Sequence, residues 1–255
     1  MSQIEKLKDI AQTEIIVIPI IDVSGSMAGE RIASVNEAMA EVPAQLAKIN
    51  EESAFGKLMI APMEFSSGAR WFAIQDNQPM AAEEFHWFDL KANGLTDYGA
   101  AYGLLNEKLT VEEKGGWMKG RGGMAPVLIL ISDGEPTDEY KEQLKQLKMR
   151  GWFNAATKFA VAVEGANKNI LAEFTGSLES VIDTTAIKND LASVIKIVVV
   201  TASRTVSQTS PANNVYDKNG DIVADNGGAD SYDAVQKKVI DGINYTLDDT
   251  EKLFY

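Results

Sequence analysis

Residues 15–27 read IIVIPIIDVSGSM and contain the strongest structural signal in the chain. The apolar run Ile15–Ile21 is unbroken and stops at Asp22, which is typical of a central parallel strand buried on both faces. Pro19 is unexpected within the run, because a proline cannot donate a hydrogen bond to a strand ladder. The stretch therefore predicts a buried strand that ends at a carboxylate.

A helix is predicted directly after this strand. Beyond a turn that contains Gly25 and Gly29, apolar residues recur at spacings of three and four, which places them on one helical face. These residues are Ile32, Val35, Met39, Val42, Leu46 and Ile49. Pro43 lies inside this pattern and is expected to kink or divide the helix.

Strands and helices alternate through most of the remaining chain. We expect a hairpin of Lys57–Phe65 and Arg70–Ile74, a helix over Asp97–Leu109, strands at Val127–Ile131, Phe159–Val163 and Val181–Ile182, a helix capped by Thr137, and a helix over Ile187–Ser203. This order predicts a Rossmann-like, doubly wound α/β fold. Its sheet would be mostly parallel, with about six strands, one antiparallel edge strand and helices on both faces.

Oxygen-bearing side chains follow two of the predicted strands. Asp22, Ser24 and Ser26 come after the first strand, and Gly25 allows the backbone to fold so that the three side chains converge. Asp133 follows the strand Val127–Ile131, and Thr96 lies at the start of a helix. Ligands of doubly wound sheets bind at the carboxyl ends of the strands, and hard divalent cations take about six oxygen ligands. The pattern therefore predicts a divalent metal site.

These three motifs in this order resemble the metal-ion-dependent adhesion site (MIDAS) of von Willebrand factor A (VWA) domains. Residues Ile21–Met27, Asn93–Thr96 and Ser132–Asp138 are most similar in texture to the bacterial tellurium-resistance Y-type members. Asn93 stands where that group usually has a glycine and Ser132 where it has a threonine, and neither change removes a ligand.

The resemblance implies a role for each site residue. Ser24, Ser26 and Thr96 would bind the metal directly, and Asp22 and Asp133 would bind it directly or through water. An acidic residue of a protein partner would complete the coordination shell. Mg²⁺ is the expected ion, with Mn²⁺ and Ca²⁺ as alternatives. The resemblance also implies a bacterial or phage protein of a stress-response or signalling system.

Three segments are predicted along the chain. Residues 1–12 form an N-terminal extension, residues 13–203 form the VWA domain, and residues 204–255 form an acidic, turn-rich C-terminal extension. Two alternatives are open for the turn-rich part of this last segment, disorder or a hairpin around Asn219-Gly220, and a short helix is expected over Tyr232–Tyr245. The resemblance covers the middle segment and does not explain the last one.

Composition narrows the classes of partner. The formal net charge is −13, which disfavours nucleic acid and anionic membrane surfaces as partners. The chain contains no cysteine, so thiolate chemistry and disulfides are excluded. No signal peptide or membrane-spanning run is recognisable, so we expect a cytoplasmic protein.

Two other functions stay open from the residues alone. The first is a Mg²⁺-dependent phosphatase of the haloacid-dehalogenase kind, although position 24 is serine rather than the second acid that such enzymes typically carry. The second is a scaffold with a vestigial metal site.

His86 is the single histidine, so a Ser-His-Asp triad or a zinc site is not easily assembled. The expectation is a binding module and not an enzyme.

Overall fold

The protein is described by a computed structural model that covers residues 13–53, 56–186, 191–207, 214–218, 220–225 and 231–252. The predicted N-terminal extension, residues 1–12, lies outside the described residues. One mixed sheet contains β1 (Thr13–Asp22), β2 (Gly56–Ile60), β3 (Met63–Ser66), β4 (Gly68–Trp71), β5 (Met80–Ala81), β6 (Val127–Ser132), β7 (Thr157–Ala162) and β8 (Val181–Asp183). The helices that follow or connect these strands are α1 (Glu30–Glu52), α2 (Tyr98–Lys108), α3 (Lys141–Lys148), α4 (Gly151–Ala155), α5 (Lys168–Thr175) and α6 (Leu191–Ser207).

The strand order is β4-β3-β1-β6-β7-β8, with β2 beside β1 and β5 beside β2. All pairs are parallel except β3–β4 and β2–β5. From β1 the chain goes first to β2 and β3 on one side and later to β6 on the other. The carboxyl ends of β1 and β6 therefore flank a topological switch point, where sheets of this kind bind ligands.

Helices cover both faces of the sheet, as predicted. Odd-numbered residues of β1, such as Ile15 and Val17, are buried with α1 and α6, whereas Ile16 and Ile18 are buried with α2, α3, α4 and α5. A strand that contacts two layers must be apolar on both sides, which is why the run Ile15–Ile21 shows no alternation. The predicted fold class is confirmed.

Pro19 is accommodated in the centre of the sheet by a change of neighbour. The N–H of Ala61 donates to the carbonyl oxygen of Val17 at 3.0 Å, so odd-numbered residues of β1 face β2 and β3. On that side β2 pairs as far as Val17 and β3 pairs from Ile20 onward. Pro19 therefore faces the break between two strands, where its missing N–H leaves no partner unpaired.

Three local predictions need correction or refinement. The segment Lys57–Phe65, predicted as one strand, is divided into β2 and β3. β5 is an additional short strand. The sheet therefore has eight strands, where about six were expected. The predicted hairpin is present as β3–β4, and it is tighter, since Ser66 pairs with Gly68. Pro43 does not divide α1, which runs unbroken from Glu30 to Glu52.

The C-terminal extension contains a hairpin of β9 (Asn214–Tyr216) and β10 (Ile222–Asp225), followed by α7 (Tyr232–Lys252). The helix is longer than predicted. It packs against α6 and β7, with Val239 and Ile243 fully buried. The boundary drawn at residue 203 falls inside α6, which continues to Ser207. No helix in the described residues is long and apolar enough to span a membrane.

One side chain of α7 forms the hydrogen bonds to β7 that a neighbouring strand would otherwise form. β7 pairs with β6 along its whole length, but β8 pairs with β7 only from Ala160 onward, which leaves the backbone of Lys158 without a neighbouring strand on that side. The side chain of Gln236 fills this position: its Oε1 accepts from the Lys158 N–H at 3.0 Å, and its Nε2 donates to the Lys158 carbonyl oxygen at 2.7 Å. Nε2 also contacts Ser180 Oγ at 2.9 Å. The extension is thus hydrogen-bonded directly to the sheet.

We expect Gln236→Leu to lower the free energy of unfolding by about 1–2 kcal/mol, because both backbone groups of Lys158 lose their partner. Denaturant unfolding and hydrogen exchange at the Lys158 amide measure this effect. The exposed neighbour Lys237→Ala is the control on the same helix. Unchanged stability and unchanged exchange at Lys158 would contradict the assigned contact.

Candidate metal centre

Asp22 is the buried end of β1, and both of its carboxylate oxygens accept hydrogen bonds. Oδ1 accepts from the Ser24 N–H at 2.8 Å, and Oδ2 accepts from Ser132 Oγ at 2.6 Å. Ser132 Oγ in turn accepts from Tyr98 Oη at 2.7 Å and from the Gly134 N–H at 3.0 Å. This chain fixes the carboxylate and connects β1, β6 and α2.

Ser24 and Ser26 lie on a tight turn directly after Asp22. A 3₁₀ turn over Gly25–Met27 brings the two hydroxyl oxygens to 3.0 Å from each other. Ser24 is buried, whereas Ser26 is exposed, so the pair reaches from the interior to the surface. The Gly25 N–H donates to the Gly94 carbonyl oxygen at 3.0 Å, which joins this turn to the loop that carries Thr96.

The backbone around Thr96 is held on several sides. The Asn93 N–H donates to the Val23 carbonyl oxygen at 2.7 Å. Thr137 Oγ1 accepts from the Thr96 N–H at 3.0 Å, and the Thr137 N–H donates to the Thr96 carbonyl oxygen at 2.9 Å. The Thr96 hydroxyl itself has no hydrogen bond to any residue that the structure describes, so it remains available to a ligand.

Asp133 completes the set at the end of β6. Its Oδ1 accepts from the Glu135 N–H at 3.3 Å, and its Oδ2 lies 3.7 Å from Arg31 Nη1. Gly134 follows with a φ of 71°, and a Cβ there would lie 2.9 Å from the Asn167 carbonyl oxygen. Glycine is therefore required beside this aspartate, which explains the Asp-Gly pair in the sequence.

The structure brings all five predicted residues to one edge of the sheet: Asp22, Ser24, Ser26, Thr96 and Asp133. Burial raises the pKa of Asp22, hydrogen bonds from Ser132 and Ser24 oppose this, and the charge of Asp133 raises it further. Two nearly buried carboxylates that repel each other form a site that a cation stabilises.

The donor chemistry fits a hard divalent metal ion. Two cis oxygen ligands of an octahedral Mg²⁺ ion lie about 3.0 Å from each other, and the two serine hydroxyl oxygens lie 3.0 Å apart. That distance is also an ordinary hydrogen-bond length, so it shows that the two oxygens are close enough to bind one ion. Among the described residues no group of three or more histidine, aspartate or glutamate side chains could hold a metal ion.

Sequence reasoning missed the role of the residues around Asp138. The predicted helix capped by Thr137 would have Asp138 in its first turn. That prediction is wrong, because α3 begins only at Lys141. Asp138 instead accepts hydrogen bonds from the N–H groups of Tyr98 at 3.0 Å and Gly99 at 2.8 Å, at the start of α2. A carboxylate at a helix N-terminus is stabilising, whichever segment of the chain supplies it.

Arg31 was also missed. It lies in the first turn of α1, where a positive charge opposes the helix dipole, and this unfavourable placement was the available signal of another role. Its guanidinium group donates to the carbonyl oxygens of Ser26 and Glu164, each at 2.9 Å. Arg31 thereby fixes the serine turn and partly neutralises Asp133.

Tyr98 is expected to influence the site without contacting a metal. Burial raises the pKa of Tyr98 well above its ordinary value, so the phenol stays a hydrogen-bond donor at neutral pH. Tyr98→Phe should lower Mg²⁺ affinity about tenfold, since Ser132 loses the donor that orients it toward Asp22. Calorimetric titration measures this, and Tyr140→Phe is the matched control, since its hydroxyl bonds Glu173 instead. Equal Mg²⁺ affinity in Tyr98→Phe and wild type would refute the role.

A family model for the von Willebrand factor type A domain matches residues 16–193. The chain therefore belongs to the VWA family, as the three motifs predicted. Domains of this family commonly bind a divalent metal at a MIDAS and mediate interactions between proteins. The resemblance to the tellurium-resistance Y-type members is not supported by these comparisons.

Solved structures share the fold at low sequence identity. A von Willebrand factor type A protein from Catenulispora acidiphila has a TM-score of 0.54 at 15% identity, over 78% of this chain and 44% of that one. The pilus adhesin SpaC from Lactobacillus rhamnosus GG has a TM-score of 0.55 at 11% identity, over 77% and 30%. Proximal thread matrix protein 1 from the mussel byssus, with a zinc-occupied MIDAS motif, has a TM-score of 0.50 at 14% identity, over 74% and 46%.

The chain spans less than half the length of these three solved chains. No curated protein matches it. The comparisons thus establish the family and the fold.

Proposed function

We propose that this protein is a metal-ion-dependent protein-binding module and not an enzyme. The proposal rests mainly on the pair of hydroxyl oxygens of Ser24 and Ser26, which lie 3.0 Å apart beside the Asp22 carboxylate at the switch point of the sheet. Family membership supports it, because VWA domains generally mediate protein–protein interactions.

The chemistry of the donors supports a binding role. Ser24, Ser26 and Thr96 are neutral ligands, so a bound cation keeps most of its charge and attracts an incoming anion. Both oxygens of Asp22 already accept hydrogen bonds from protein groups, which favours contact with the metal through water. A carboxylate from a protein partner would then bind the metal directly. We propose Mg²⁺ as the ion, because about six hard oxygen ligands, several of them water, suit it.

The environment in which the protein works is also part of the proposal. The acidic composition supports a protein partner rather than nucleic acid or an anionic membrane surface, and the cytoplasm is the proposed location. A bacterial or phage stress-response or signalling system is the further proposal; it rests on the sequence motifs alone, since the comparisons do not support the tellurium-resistance Y-type subtype.

Metal-dependent capture tests this function. Wild type, Ser24→Ala/Ser26→Ala and Ser203→Ala are immobilised and exposed to lysate of the encoding organism in Mg²⁺ or in EDTA. Ser203 is the control because it is a buried serine of α6 whose hydroxyl has no partner among the described residues. We expect a protein that is retained by wild type and Ser203→Ala in Mg²⁺ only, and never by the double variant.

Capture that is equal in Mg²⁺ and EDTA, or equal for wild type and the double variant, would refute the metal-dependent function. The scaffold alternative would then account for any retained protein. Mg²⁺-dependent release of phosphate from a phosphomonoester, lost in the double variant, would instead support the enzyme alternative.

A further inference from the structure

A groove of about 500 Å³ opens beside the metal centre. One wall is the β3–β4 hairpin, including Ala69 and Arg70, and the other wall is the segment that carries Lys91, Asn93 and Gly94. Val23, the residue between Asp22 and Ser24, lies at its inner end. Ligand sites commonly measure about 300–1,000 Å³, so the groove is large enough to hold part of a bound segment.

The groove is continuous with the proposed metal ligands. The Val23 N–H donates to the Phe65 carbonyl oxygen at 2.9 Å, and the Asp97 N–H donates to the Ser66 carbonyl oxygen at 2.8 Å. Ser67 Oγ accepts from the Leu95 N–H at 3.0 Å. The hairpin wall is therefore bound to the residues on both sides of Thr96 and to the residue beside Ser24. The groove therefore lies beside the proposed metal ligands, where a chain segment that binds the metal can extend into it.

The charges of the groove are cationic in a chain whose net charge is −13. Arg70 and Lys91 both line it. Arg70 has 75% of its side chain exposed, and its Nε donates to Glu64, the nearly buried carboxylate of the same hairpin. Lys91 is exposed and has no ion pair with any residue that the structure describes. With Glu64 neutralised by Arg70, Lys91 leaves one positive charge in excess.

We propose that the partner presents two acidic side chains in an extended segment, the first to the metal and the second to Lys91 and Arg70 in this groove. This rests on the proposed function, because the first acid is the one that binds the metal. β4 is an edge strand of the sheet in the described residues, so the hairpin side of the groove is open to such a segment. Charge complementarity of this kind gives specificity and accelerates association.

Peptide titrations monitored by NMR test this subsite. The probes are glycine–serine peptides with one aspartate, and the same peptides with a second aspartate two, three or four residues away. They are titrated into the ¹⁵N-labelled full chain in Mg²⁺ at low ionic strength. At the best spacing, the second aspartate should increase affinity about fivefold, the scale of exposed ion pairs, and it should shift the amides of Asn93 and Gly94.

Two variants assign this gain to the groove. Lys91→Glu reverses one charge, and Arg70→Gln/Glu64→Gln removes the other cation without leaving a buried carboxylate unpaired. Lys91→Glu should remove the gain and Arg70→Gln/Glu64→Gln should reduce it, while the affinity for the one-aspartate peptide changes by less than about twofold in each variant. Lys237→Glu on α7 makes the same change in net charge, lines no part of the groove, and should leave the gain intact.

The outcomes separate the two proposals. If the one-aspartate peptide binds in Mg²⁺ but no second aspartate increases affinity, the subsite is refuted and the metal-dependent function stands. The subsite is equally refuted if the gain persists in both groove variants. If the one-aspartate peptide does not bind in Mg²⁺, the proposed function fails for this ligand class, and the subsite fails with it.

Discussion

Replacing both site serines, in Ser24→Ala/Ser26→Ala, is expected to lower Mg²⁺ affinity by at least about 100-fold. Changes to groups that only orient metal ligands already cost about 10- to 100-fold, and these hydroxyls are proposed to bind the metal themselves. The two hydroxyl groups are hydrogen-bonded to each other at 3.0 Å. Removing both together therefore leaves neither hydroxyl without a hydrogen-bond partner. Calorimetric titration with Mg²⁺ measures the effect.

The fold should survive this double change. Asp22 still accepts from the Ser24 backbone N–H and from Ser132 Oγ, since neither bond uses a serine hydroxyl of the pair. Ser203→Ala is the matched control and should keep wild-type affinity for Mg²⁺. Wild-type affinity in the double variant, with an intact fold by circular dichroism, would show that the metal binds elsewhere.

Gly151→Ala is expected to lower the free energy of unfolding by about 3 kcal/mol, the upper range for overpacking. A Cβ at Gly151 would lie 1.8 Å from the carbonyl oxygen of Ile222, so the start of α4 and β10 could not keep their contact. The clash is with backbone, which cannot move aside as a flexible side chain can. Denaturant unfolding gives the energy, and limited proteolysis reports release of the β9–β10 hairpin.

Gly103→Ala is the control for this substitution. Gly103 lies within α2, and a Cβ there meets no heavy atom within 4 Å. Alanine should therefore stabilise the protein by about 0.5–1 kcal/mol, because it favours the helix. If Gly151→Ala were as well tolerated as Gly103→Ala, the contact between the hairpin and α4 would be absent in solution.

The parts of the site that follow strand ends could be predicted from the sequence. Asp22 and Asp133 each follow an unbroken apolar run, and buried runs of that kind are parallel strands whose carboxyl ends share one edge. Glycines and hydroxyl residues after such strands then fall in one place. Local patterns suffice here because each strand brings its own terminal residues to the site.

Residues whose partners are distant in sequence could not be predicted in the same way. Asp138 resembles a first-turn residue of the helix that follows it, yet it caps α2 some 40 residues earlier in the chain. Gln236 resembles any polar residue of an exposed helical face, and only the short length of β8 gives it a place in the sheet. In both cases the sequence specifies the chemistry, and tertiary packing selects the partner.

The Gln236 contact determines where the chain can be truncated without exposing the backbone of the sheet. A fragment that ends with α6, near the end of the family match, would expose the backbone of β7 at Lys158 together with the apolar surface that Val239 and Ile243 now cover. An open strand edge beside an uncovered apolar surface invites pairing between chains. Oligomers formed by such a fragment would therefore be products of truncation, and measurements of self-association need the whole chain.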